Sequence, residues 1–157
     1  MGIGSLLSAR RVRREEHQRA LLLVRNQTRN TILADSAEIA NTSATRRKGL
    51  LGRRSLEPGQ GLWIVPCESV HTFAMRFPID VIYLDRKSRV QKTRTCMPAW
   101  RVSLHLFAHS VLELPSGTIE STGTRPGDQL ELVHISSDSL SGSCNLQEST
   151  HNVTVEV

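Results

Sequence analysis

The stretch HTFAMRFPIDVIYLD, residues 71–85, is the most strand-like part of the chain, and its alternation decides the fold. From 71 to 77 a period of two places His71, Phe73, Met75 and Phe77 on one face and Thr72, Ala74 and Arg76 on the other. His71 is therefore expected on an apolar face. Pro78 cannot donate to a ladder, which predicts a corner or bulge there before the chain enters the next strand. Beyond it, Ile79, Val81 and Tyr83 point one way and Asp80, Ile82 and Leu84 the other. Both sets are largely apolar, so this strand should be buried on both sides.

A carboxylate in such a strand has to be compensated, because an unpaired buried charge costs several kcal/mol or more. Arg46, Arg53 and Arg76 are candidate partners for Asp80, as is backbone beside Pro78, where an aspartate can close an Asx-type turn. Two roles follow. Asp80 locks a corner of the fold, or it lines a cleft with His71 as an acid/base pair.

Working outward, short apolar runs alternate with turn residues, which predicts strands near 21–25, 31–40, 61–65, 71–76, 79–84, 89–96, 104–114 and 128–134. NTSATRRKGLLG, residues 41–52, interrupts this pattern with a short helix. Asn41 or Thr42 can cap it, Arg46, Arg47 and Lys48 suit the negative end of its dipole, and Gly52 suits a left-handed stop. A second helical turn is expected after Pro115, and RPGD, residues 125–128, forms a turn before the final strand. The organisation predicted is a basic extension over 1–20, one mainly β domain over 21–135 and a serine-rich polar tail over 136–157.

The 157 residues carry a formal net charge of +5, but it is unevenly placed. Residues 1–54 hold 12 Lys/Arg against 4 Asp/Glu, and residues 55–157 hold 8 against 11. Basicity belongs to the front end, and with aromatic residues at 4% of the chain there is little for a base-stacking platform. Nucleic acid is a disfavoured partner. No run is long and apolar enough for a membrane span, and the opening nine residues do not have the layout of a secretory signal. Cys67, Cys96 and Cys144 are an odd number at wide spacings, which points to reduced thiols and a cytoplasmic location.

Arg46-x-x-Gly49-Leu50-Leu51, Arg53, Leu56, GQGLWIV, HTFAMRFPIDVIYLD, SVLELPSGT and Gly127-Asp128 occur in one order across roughly residues 30–134. Together they resemble the prokaryotic domain-of-unknown-function family 192, also called uncharacterised protein family 0127. The resemblance implies a compact, mostly antiparallel β-sandwich or barrel-like domain with a short helix, and it implies no activity. Family members commonly have a Pro/Gly-containing loop where this chain has residues 100–109.

Other constellations are weaker. His105, His109 and Glu113 would align on a helix, but a zincin pattern needs a glutamate between the histidines, and LHLFAHSVLEL also fits a strand with these three on a polar outer face. Cys67, Glu68 and His71 offer metal-type ligands at spacings that suit an ordinary strand-entry loop equally well. Nucleophile-elbow, phosphate-loop and dinucleotide-binding motifs are absent from the sequence, which leaves nucleophilic hydrolysis, nucleotide hydrolysis and Rossmann redox chemistry without support, and neither cysteine nor histidine spacing completes a metal site, so no metal and no cofactor are expected. Trp63, within GLWIV, is expected in the core, and Trp100, in a loop, can anchor a ligand or cover the domain. The sequence thus favours a non-enzymatic module that binds a small, anionic ligand or a protein partner through Arg46, Arg53, His71 and Trp100, with Asp80 and Asp128 as structural polar groups. The alternative is a hydrolase or lyase using His71 as base and Asp80 to orient it, so enzymatic activity stays open.

Overall fold

The computed structural model describes residues 21–135. The expected basic extension and polar tail lie outside the described residues. Nine strands run in chain order: β1 Leu21–Asn26, β2 Thr31–Ala40, β3 Gln60–Ile64, β4 Ser69–His71, β5 Ile79–Leu84, β6 Val90–Met97, β7 Val102–Leu104, β8 Ser110–Pro115 and β9 Leu130–Ile135. Two short helices, α1 Ser43–Lys48 and α2 Thr118–Thr122, complete the described part.

Seven strands form one sheet in the order β6-β5-β8-β3-β2-β1-β9, and β4 pairs with β7 in a separate ribbon. All pairings are antiparallel except β2 with β3. The two edges of the large sheet approach through the Arg89–Gln129 bridge without closing a barrel. The fold is mainly β, as the alternating pattern predicts, and sandwich-like, as the resemblance implies.

Strand β5 explains why the sheet has two cores. Ile79, Val81 and Tyr83 join one apolar cluster with Leu62, Ile64, Val70, Met75 and Val111, while Ile82 and Leu84 join a second with Leu22, Val24, Leu33, Leu112 and Leu114. A strand whose two faces each meet an apolar cluster has to be largely apolar throughout, and IDVIYL is buried at all six positions. Gly61 of β3 permits close packing on the second face. A Cβ there would come within 3.2 Å of Leu114 and 3.3 Å of Ala37.

Helix α1 begins where its cap predicts. The Thr42 hydroxyl accepts the Thr45 N–H at 3.2 Å, and the Thr45 hydroxyl in turn accepts the Thr42 N–H at 3.0 Å. The helix ends at Gly49 with φ 48°, one turn before the glycine expected to stop it.

Two expected strands are shorter than their alternation implies. The strand expected over 71–76 ends at His71, and Ala74 turns the chain with φ 60°. The single strand expected over 104–114 is two, β7 and β8, separated by a turn in which the Ala108 N–H bonds the His105 carbonyl at 2.9 Å. Glu113 does not sit on a polar outer face: it shares its side of β8 with Val111, a member of the first core, and is 4% exposed.

Candidate functional site

Asp80 is fully buried and is held by backbone rather than by arginine. Between Ile79–Met97 and Val81–Arg94, two β6 residues oppose one β5 residue, and this bulge gives Cys96 a φ of 47°. The Cys96 N–H freed from the ladder donates to Asp80 Oδ1 at 2.8 Å. The other oxygen, Oδ2, accepts the Ile119 N–H in the first turn of α2, also at 2.8 Å. Gly117 occupies the cap position of that helix and has no side chain to do so, which leaves Asp80 as its cap from across the fold.

Asp128 serves a comparable purpose at the other end of the sheet. It accepts hydrogen bonds from Arg29 Nε at 2.6 Å, Asn26 Nδ2 at 2.9 Å and the Arg125 N–H at 3.0 Å. Burial alone would raise its pKa, but these hydrogen bonds outweigh burial and hold the carboxyl below its ordinary value.

The larger cavity is an open cleft of about 980 Å³ between α1, the chain leading from β3 into β4, and the turn between β7 and β8. Its apolar lining includes Leu50, Ile64, Val70, Met75 and Ala108, all members of the first core. Arg46, Arg47, Lys48 and Arg86 line it as cations, against Glu68 and Glu113 as acids, with His71 and His109 also present. Arg46 is fixed in place by the Asn41 carbonyl, to which its Nη1 donates at 3.0 Å.

Glu113 is the unusual member of this lining. The β8 register sets it beside Leu62 of β3 and Val81 of β5, and its Oε2 is buried without a hydrogen-bond partner. Burial pushes its pKa from 4.5 up to about 7, with Arg53 pulling weakly the other way. Near neutral pH the carboxyl is therefore close to half protonated, and a protonated carboxyl can donate as well as accept. Cys67, also in the cleft, donates its thiol hydrogen to the Ser69 carbonyl at 3.1 Å, and burial raises its pKa. It is a protonated thiol rather than an activated nucleophile.

Of the four residues expected to bind a ligand, Arg46 and His71 line this cleft and Arg53 and Trp100 do not. Arg53 faces a second cavity of about 810 Å³ and pairs with Glu38 at 2.9 Å. Trp100 is 64% exposed and lies against Phe73, with ring centroids 5.9 Å apart. His71 is exposed rather than apolar-facing, and stacks on Phe73 at 5.2 Å. Asp80 lines neither cavity, and its face of β5 looks toward the second core. Trp63 packs against that core, with Nε1 buried and unpartnered.

Lys48 and Arg86 were not weighed for a site by sequence reasoning, and His109 and Glu113 were weighed only as metal ligands and set aside for a polar outer face. The clearest available signal was the lone acid in SVLELP, which has the form of Asp80 in IDVIYL. Among the described residues, no three His, Cys, Asp or Glu side chains are grouped to hold a metal ion, and no helix is long and apolar enough to cross a membrane.

A family model described as DUF192, "Uncharacterized ACR", matches residues 24–132. The chain belongs to this family. A relative, a UPF0127 protein of Pyrococcus horikoshii, is 31% identical over 116 residues, which is 69% of this chain and 97% of the relative. Among solved structures, a protein of unknown function from Novosphingobium aromaticivorans aligns with a TM-score of 0.62 at 23% identity, over 71% of this chain and 83% of that one. A second, from Sinorhizobium meliloti 1021, aligns with a TM-score of 0.64 at 21% identity, over 74% and 95%. At these identities the two structures bear on the DUF192 fold alone.

Proposed function

We propose that this DUF192 chain is a non-enzymatic binding module that holds a small anionic ligand in the cleft between α1 and the β7–β8 turn. The observation that carries this is the lining: four cationic residues, Arg46, Arg47, Lys48 and Arg86, border a cavity with only two acids. One of those acids, Glu113, sheds much of its charge near neutral pH, which lowers repulsion of an anion at the floor. Arginine offers planar, paired donors that suit carboxylate or phosphate. The geometry favours binding over the His71–Asp80 acid/base alternative, because both Asp80 oxygens already accept backbone N–H groups. The free thiols of Cys67 and Cys96 are in keeping with a reducing, cytoplasmic setting.

Calorimetric titration with ethyl phosphate tests the proposal. Saturable binding that weakens with salt, and falls at least tenfold in an Arg46→Ala/Lys48→Ala variant of unchanged melting temperature, is expected. Binding unaffected by that substitution would overturn it.

A further inference from the structure

The cleft does not end at its cationic wall. Leu106 and Phe107 line its mouth, yet they are 67% and 85% exposed. From there an apolar surface continues along the β4–β7 ribbon. His71 pairs with Val102 and Ser69 with Leu104, so Val102 and Leu104 share the outward face with two residues of the cleft lining. Both are more than half exposed. Phe73 stacks on His71, and Trp100 lies against Phe73, which extends the same surface. Single exposed apolar side chains are ordinary, but a connected run leading out of a cavity is not.

We infer that the ligand is an amphipathic anion, with its charged head among Arg46, Lys48 and Arg86 and its apolar chain laid over Phe107 and the outward face of the ribbon. This rests on the anion-binding reading of the cleft. Charge complementarity selects the occupant. A neutral hydrocarbon would leave the cations unpaired, whereas an inorganic anion would leave the apolar run in water. A molecule with one anionic end and one apolar end satisfies both.

The test is a series of n-alkyl phosphates from ethyl to octyl, titrated calorimetrically below their micelle-forming concentrations, with the head group constant. Fully burying one methylene is worth about fourfold in affinity, so on an open face at least about twofold per methylene is expected. Leu106→Ser/Phe107→Ser should collapse the ratio of octyl to ethyl affinity. A flat series in which ethyl phosphate binds as well as octyl phosphate would overturn this inference and leave the anion site standing. Failure of every member to bind would remove both. Binding to phosphatidylcholine vesicles containing phosphatidylglycerol, without binding of dissolved octyl phosphate, would also overturn it, since the occupant would then be a membrane surface.

Discussion

Replacing Glu113 by glutamine should convert a pH-dependent stability into a flatter one. The carboxyl lies between β3 and β5 with one oxygen unpartnered, and its pKa rises from 4.5 to about 7 on folding. Because the folded value is the higher, the native state holds a proton between those limits that the unfolded chain has released. Stability from this group is therefore complete below pH 4.5, falls as pH rises through the window, and is lost above about 7. At 1.36 kcal/mol for each tenfold change, the gap corresponds to about 3 kcal/mol. Glutamine cannot ionise, and any packing difference it introduces is the same at every pH. The difference in unfolding free energy between Glu113→Gln and wild type should thus shift by about 3 kcal/mol in favour of the variant between pH 4.5 and 8. Urea unfolding of both proteins at half-unit pH intervals measures it, and differencing removes the other titrating groups. Parallel curves would show that Glu113 finds a partner or water in solution, and the account of its burial would be wrong.

Two further outcomes follow from the buried carboxylates. Asp80→Ala strands the Cys96 and Ile119 N–H groups and should cost roughly 2 to 6 kcal/mol, at about 1 to 3 for each unsatisfied donor; Asp80→Asn keeps one acceptor and should fall between it and wild type in denaturant midpoint, and an Ala variant of wild-type stability would refute the capping role. Arg29→Met removes the 2.6 Å bond to Asp128, and should cost roughly 1.5 to 3 kcal/mol at pH 7. Since the Asp128 pKa is lowered in the folded state, its contribution is present above its ordinary value of 3.8 and disappears as pH falls through the folded value, so wild type and variant should converge in acid.

The fold was legible where the sequence pattern is local and the side-chain period is two. IDVIYL announces a strand buried on both faces, and the two clusters divide its side chains as the alternation requires. The alternation of HTFAMRF misled because it outlasts the strand: Ala74 takes a positive φ that no periodicity signals. The pleat of β8 was also legible, with Leu112 and Leu114 opposed to Glu113. What local pattern could not supply is that Leu50, Val70 and Met75, from outside the large sheet, join Val111 in the cluster on the face that carries the glutamate. The partners of Asp80 were hidden for a related reason. They are main-chain groups freed by a bulge and by a helix start, and neither leaves a charged residue in the sequence to find. Arg46 and His71 share the cleft because α1 and β4 meet there, whereas Arg53, five residues beyond the end of α1, opens onto the second cavity.

The Asp80 carboxylate joins residues 80, 96 and 119, which belong to three separated stretches of chain. Both amides bond to one acceptor, which Asp80 presents from β5, an interior strand with the edge strand β6 on one side and β8 on the other. The Cys96 and Ile119 amides should therefore exchange with deuterium at a common rate, set by a shared opening rather than by the local fraying that an exposed bulge or a helix of five residues would otherwise show. One side chain thereby lends two short, weak elements the lifetime of the core.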